Sequence, residues 1–131
     1  MIIESISDSV NFHLAQKLLD GAVTRQQAIA TNIANVETPG FKRLDVSPDF
    51  KHSLKAQMSQ AKGLDLSALR SLEPRLSEDT TVRAVRADGN SVEIESELLA
   101  MSRNQVDFES LASLVGSHIK GLKMAISGRV L

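Results

Sequence analysis

Apolar residues recur at helical spacing in the first third of the chain. From about Ser9 to Val36 one row repeats every seven residues, and a second row beside it is interrupted at Gln26. Two adjacent rows with this period suit a narrow contact surface against another helix. The pattern therefore predicts an N-terminal helix that ends near Val36 or Glu37, and an assembly seam made of Ala15, Ala22, Ile29 and Val36.

The clearest periodicity lies between residues 91 and 127, where apolar residues alternate three and four positions apart. A helix of that length would extend roughly 55 Å, whereas a compact globule of this chain length is only about 36 Å across. We therefore expect the terminal helices to pack together and to leave surplus apolar surface for other subunits. This second part of the predicted assembly seam consists of Leu98, Met101, Phe108, Ala112, Val115, Ile119, Leu122 and Ile126.

Turn-forming residues separate the two long helices. Pro39 cannot continue a helix, and Gly40 accepts the positive φ of a type II turn. Ser47 and Pro48 have the character of a helix start, and Asp65 suits the cap of one further helical turn. Residues 74–90 are rich in turn formers and β-branched residues, which favours extended chain or a loose hairpin.

The predicted fold class is mainly α, with long N- and C-terminal helices packed as an elongated, coiled-coil-like bundle. The N-terminal helix covers residues 1–36, with a flexible start. A turn, a short helix and an extended segment cover residues 37–90, and the C-terminal helix covers residues 91–131. Both ends of the chain would form one domain.

Several polar residues near the start of the C-terminal helix have a local interpretation. Asn90 and Glu93 have the spacing of a capping box. Glu93, Glu95 and Glu97 are predicted to be exposed charges that complement the positive end of the helix, because residues two apart fan around its axis.

Composition narrows the possible functions. The chain has 131 residues, a net charge of −1 and no cysteine, which gives no bulk attraction to nucleic acid and excludes disulfides and thiolate metal sites. No apolar run approaches the ~20 residues of a membrane span, and no cleavable secretory signal is visible. His13, His52 and His118 are isolated, and no catalytic constellation emerges. We expect neither an enzyme nor a cofactor, and no small-molecule substrate.

The stretch NIANVETPGFK resembles the N-terminal signature of the bacterial flagellar axial proteins, a family of rod, hook and hook-associated subunits. That signature has the form A-x-N-I-A-N-x-x-T-x-G-[FY]-[KR], and this chain matches every specified position. The signature and its turn are carried by Asn32, Ile33, Ala34, Asn35, Thr38, Pro39, Gly40, Phe41 and Lys42.

A second block, beginning at Asp88, resembles a pattern found in the short proximal rod subunits of this family. The resemblance favours the B-type subunit over the C-type, in which an insertion usually separates the NIAN block from its glycine. The residues that carry this second motif are Asp88, Gly89, Asn90, Val92, Glu93, Glu97 and Met101.

The resemblance implies a structural subunit of the flagellar rod in the periplasm, exported by the flagellar type III system, transmitting torque and lining the export channel. Implied partners are the C-type proximal rod protein and other rod proteins, the adaptor protein FliE, membrane-ring and export-gate proteins, and further copies of the chain. Two alternatives stay open here. One is another short rod subunit of the C-type, and the other is a cytoplasmic helical binding or chaperone module.

Overall fold

A computed structural model describes residues 2–60, 63–82 and 84–127. The chain is 66% helical, so the prediction of a mainly α fold with long terminal helices is confirmed. The elements, in chain order, are α1 (Ile2–Ala34), β1 (Leu44–Val46), α2 (Pro48–Met58), α3 (Leu66–Ser71), β2 (Leu76–Glu78) and α4 (Ile94–Ser127).

The two long helices run antiparallel. Asn32, near the end of α1, bonds to Glu97 in the first turn of α4, whereas Phe12, near the start of α1, stacks on His118 toward the end of α4. The ring centroids of Phe12 and His118 are 5.2 Å apart. These contacts at both ends align the helices over most of their length.

The turn after α1 has the predicted form. The carbonyl of Thr38 accepts a hydrogen bond from the N–H of Phe41 at 3.3 Å, and Gly40 has φ of 73°. Positive φ at the third residue defines a type II turn, for which Pro39 and Gly40 are the favoured central pair. The helix α1 begins at Ile2, earlier than the periodicity from about Ser9 indicated, and it ends at Ala34, just before the predicted end near Val36 or Glu37.

The middle segment forms two short helices and a two-stranded antiparallel ribbon. Asp65 caps α3 as predicted, since its carboxylate accepts from the N–H groups of Ser67 and Ala68. Ser47 precedes α2, but its hydroxyl makes no capping hydrogen bond. Residues 74–90 include the extended segment β2, as predicted, but the loose hairpin within them is wrong, because β2 pairs with β1, with Val46 opposite Leu76.

The apolar core lies between α1 and the middle segment. Val46, Phe50, Leu54 and Leu69 are buried together, and Leu18 packs against them. Gly21 of α1 faces Phe50, and a Cβ atom at this position would lie 3.0 Å from Cε1 of that ring. The glycine therefore permits the close approach of α2 to α1.

Replacing Gly21 with alanine tests this packing, with Gly116→Ala in α4 as the matched control. Alanine at Gly116 meets nothing within 4 Å, so helix propensity alone should stabilise the protein by about 0.5–1 kcal/mol. At Gly21 the buried ring must move, and we expect a net loss of about 1 kcal/mol despite the same propensity gain. Urea unfolding measures both, and equal stabilisation by the two substitutions would contradict the contact.

A polar junction between the terminal helices and an exposed apolar face

Arg43, just after the signature turn, connects three elements of the fold. Its Nε donates to Oε1 of Glu97 at 2.5 Å, and its Nη1 donates to Oδ2 of Asp79 at 2.5 Å. Asp45 lies 3.8 Å from the same Nη1. The guanidinium therefore joins the start of α4 to the chain immediately after β2, and we call the buried contacts around it the polar junction.

Asn32 provides the α1 side of the polar junction. Its side chain is fully buried, and its amide pairs with the backbone of Leu44 through two hydrogen bonds of 2.8 Å. The same Nδ2 also donates to Oε2 of Glu97 at 3.1 Å. Only an amide offers both a donor and an acceptor in this geometry, so an asparagine at this place in the signature has a clear physical reason.

The prediction that Glu97 is an exposed charge at the start of α4 is wrong. Its side chain is 0% exposed and contacts both Arg43 and Asn32. Glu93 and Glu95 are exposed as predicted. The prediction failed because the partners of Glu97 lie 54 and 65 residues earlier in the chain and leave no local signal.

Asn90 likewise does not act as the predicted cap of α4. Its Nδ2 donates to the carbonyls of Asn35, Val36 and Thr38 at 2.8–3.1 Å, and these carbonyls follow the end of α1. Its Oδ1 accepts from the N–H of Val92 in a local turn. A helix end leaves carbonyls without partners, and the buried amide of Asn90 supplies donors to them.

The two sequence motifs therefore meet in space. The N–H of Gly40 donates to the carbonyl of Asp88 at 2.9 Å, and Lys42 Nζ donates to the carbonyl of Gly89 at 2.8 Å. Gly89 has φ of 82°, and a Cβ there would lie 3.4 Å from Cα of Gly40. Two facing glycines thus allow the two turns to touch.

Another signature residue, Asn35, makes local hydrogen bonds at the end of α1. Asn35 donates to the carbonyl of Thr31, as expected for an amide in the last turn, and its Oδ1 accepts from the hydroxyl of Thr38. The remaining members are distributed by exposure. Val92 is buried, Ile33 and Phe41 are half-buried, and Ala34, Pro39 and Met101 are exposed.

Asn104 makes a second polar contact between the long helices. It is buried, and its Nδ2 donates to the carbonyl of Ala22 and to Oε1 of Gln26, both at 2.9 Å. Glu97, Asn104 and His118 are spaced by multiples of seven, so they lie along one side of α4. That side faces α1. Because these three residues are polar, apolar periodicity alone could not predict that they face α1.

The two halves of the predicted assembly seam have different surroundings. In the first half, Ala15, Ala22 and Ile29 of α1 are buried, and Val36, just after the end of α1, is half-buried. In α4, Val115 is half-buried, and the side chain of Ile126 lies outside the described residues. The remaining seam residues of α4 are all exposed, and we call them the α4 stripe: Leu98, Met101, Phe108, Ala112, Ile119 and Leu122.

The charges of the polar junction stabilise each other. Burial alone would lower the pKa of Arg43, but the hydrogen bond and charge of Glu97 outweigh it and raise that pKa. Burial alone would raise the pKa of Asp79, but hydrogen bonds from Thr81 and the Arg43 guanidinium hold it below its usual value. Both groups are therefore ionised at neutral pH.

Within residues 2–60, 63–82 and 84–127, no three histidine, aspartate or glutamate side chains are grouped so that they could hold a metal ion. No helix in those ranges is both long enough and apolar enough to cross a bilayer.

An antiparallel pair of long helices, closed by a polar junction and flanked by exposed apolar residues, defines a helical structural subunit. The chain is 31% identical to the flagellar basal body rod protein FlgB of Aeromonas hydrophila over 131 residues, covering 95% of this chain and 98% of the relative. FlgB of Proteus mirabilis is 31% identical over 124 residues, 85% of this chain and 89% of the relative. FlgB of Agrobacterium fabrum is 31% identical over 123 residues, 88% and 91% of the two chains. No family model matches the chain.

The chain therefore belongs to the FlgB family of flagellar basal body rod proteins. The prediction of a B-type rod subunit is confirmed, and its relatives are structural proteins rather than enzymes.

Asn90→Asp tests the cap on α1. The substitution keeps the shape of the side chain but places a carboxylate against three carbonyl oxygens, so we expect a loss of about 2–4 kcal/mol in the free energy of unfolding. Asn11→Asp, on the exposed surface of α1, is the control and should change stability by less than about 0.5 kcal/mol. Equal effects of the two in urea unfolding would show that Asn90 is not a buried donor.

Asp79→Asn tests the ionised junction through pH. Because the pKa of Asp79 is lower in the folded protein, its charge stabilises the fold at neutral pH, and this contribution is lost as pH falls below about 4. The variant should be less stable than the parent at about pH 7 and should lose less stability on acidification to about pH 3. Glu78→Gln, at the exposed neighbouring position, should keep the parental pH slope. An unchanged slope in Asp79→Asn would refute the assignment.

Proposed function

We propose that this chain is a structural subunit of the proximal rod of the flagellar basal body, and that it assembles when neighbouring subunits cover the α4 stripe. The observation that carries the proposal is the exposure of large apolar side chains on α4. Ile119 is 51% exposed and Leu122 is 41% exposed, although α4 packs on α1 along much of its length. Contiguous exposed apolar surface is a common mark of a protein interface.

The assembled rod would transmit torque through the paired helices. A helix of 34 residues is about 51 Å long, and α4 is held to α1 near both of its ends. The polar junction also fastens the middle segment to this pair, through Arg43 and Asp79. Such a subunit resists bending and slippage between its parts, which favours a load-bearing role.

We also propose that α4 contributes to the lining of the export channel. Ser102, Ser113 and Ser117 are exposed on α4. Small polar side chains offer little adhesion to an unfolded chain passing through a channel, which supports this role.

The proposed neighbours follow from membership of the rod family. They are further copies of the chain, the C-type proximal rod protein and other rod proteins, the adaptor FliE, and proteins of the membrane ring and export gate. The location would be the rod in the periplasm, reached through the flagellar type III system. The proposed partners include no nucleic acid and no small-molecule substrate.

The proposed domain organisation is one unit built from residues 1–36 and 91–131, with residues 37–90 attached to it. Asn32, Glu97 and Asn104 support the joining of the two ends, because each is buried between the long helices. Leu18 of α1, packed on the core of the middle segment, supports the attachment.

Ile119→Asp and Leu122→Asp test the α4 stripe. Each places a charge on a surface that neighbours would bury, so we expect rod assembly and motility to be lost while export of the subunit continues. The exposure of both residues means that the helical content of the purified chain should be unchanged by circular dichroism.

Leu114→Asp is the control, because it makes the same kind of change at an α4 position that is 60% exposed and outside the stripe. Normal rods in cells carrying Ile119→Asp would contradict the assignment. A purified chain that forms a closed dimer in solution, with the stripe buried in it, would instead favour a cytoplasmic helical binding module.

A further inference from the structure

An apolar groove runs beside α1, between α2 and α4. Its volume is about 480 Å³, and its floor is formed by Leu18, Gly21 and Ala22. Phe50 and Leu54 of α2 form one wall. Asn104 and Leu111 belong to the opposite wall, together with Asp107 and Ser110. A groove of this volume can hold one or two large side chains of another helix.

Cations line the α2 side of this groove. Arg25 and Lys51 both lie there, and both approach the same carboxylate, that of Asp45, at 3.7 and 3.2 Å. The Nε atom of Arg25 is buried and has no hydrogen-bond partner among the described residues. Asp45 also lies 3.8 Å from Nη1 of Arg43, and the other carboxylate of the groove, that of Asp107, belongs to the opposite wall. This wall therefore has more positive than negative charge and can accept a further carboxylate. The groove therefore suits an apolar side chain accompanied by a carboxylate.

The α4 stripe presents such a combination. Phe108 is 38% exposed, whereas the other three phenylalanines are half-buried or buried. Glu109 follows it directly, is exposed, and accepts a hydrogen bond only from the Gln105 side chain among the described residues. Aromatic side chains that fill a pocket often dominate the energy of an interface.

We infer that the groove of one copy receives Phe108 from the α4 stripe of a second copy, with Glu109 facing Arg25 and Lys51. This inference rests on the proposed function and names the surface that the stripe contacts. Apolar burial supplies the attraction, and the charge pairing selects the orientation.

The part of the α4 stripe around Phe108 and the groove lie on opposite sides of the contact between α1 and α4. Phe108 and Gln105 line the side that includes Val23, whereas Asp107 and Leu111 line the groove, and Ala22 and Asn104 border both. One copy can therefore donate its stripe and accept another at the same time. Such a heterologous contact extends into a helical array unless its rotation closes a ring.

The absence of cysteine in the chain makes disulfide cross-linking a clean test. Full-length Ser110→Cys, on the groove wall, is mixed with full-length Ala112→Cys, one turn beyond Phe108, and oxidised mildly. We expect a covalent dimer of the two variants, with at least a tenfold lower yield when Ser117→Cys replaces Ala112→Cys. Equal yields from both mixtures would overturn the inference. So would the absence of a covalent dimer at every protein concentration tested.

Charge exchange provides the second arm. Glu109→Lys should reduce cross-linking at least tenfold, and combining it with Lys51→Glu on the groove copy should restore most of the yield. Phe108→Ala should also reduce it, with helical content unchanged by circular dichroism. No rescue, or cross-linking only after a different rod subunit is added, would refute the second copy as occupant. Rod assembly in the Ile119→Asp strain is scored separately, so a failure of the groove contact leaves the rod assignment testable.

Discussion

The burial of Glu97 against Arg43 and Asn32 is the constraint on which the arrangement of the helices depends. Removing a carboxylate from water is costly, and it is tolerable only where a counter-ion and hydrogen bonds meet it. At Glu97 both are present, from Arg43 and Asn32. If α4 shifted along α1 by one turn, the carboxylate would lose these partners. Asn104, seven residues later, would likewise lose its hydrogen bond to the carbonyl of Ala22. The polar contacts thus select one register in an otherwise permissive apolar interface.

The two sequence motifs make sense as one object. The first supplies a helix end with exposed carbonyls and a turn, and the second supplies Asn90, which donates to those carbonyls. Gly40 and Gly89 let the two turns approach closely. Residues about 50 positions apart in the sequence therefore constrain each other directly.

Features encoded locally could be predicted from the sequence. The long helices, the type II turn at Pro39–Gly40 and the Asp65 cap depend on spacing and on residue conformation within a few positions. The signature residues were found, but the role of Asn90 and the burial of Glu97 were not, because their partners are distant in sequence. The pairing of β2 with β1 was missed for the same reason. Apolar periodicity located the α4 stripe but could not reveal that polar residues occupy the side that faces α1.

The contact between the first and last helices also governs the order in which the chain can fold. Ala22 meets its partner Asn104 only 82 residues later, and Asn32 meets Glu97 after 65. When the chain emerges from a ribosome N-terminus first, the α1 surface around Ala15, Ala22 and Ile29 remains partly uncovered until almost the whole polypeptide has been made. The middle segment can form its core on α1 earlier, because its contacts need only the first 80 residues or so. Completion of the helix pair is therefore a late event that depends on the C-terminal third, and a truncated product would keep its adhesive surface exposed.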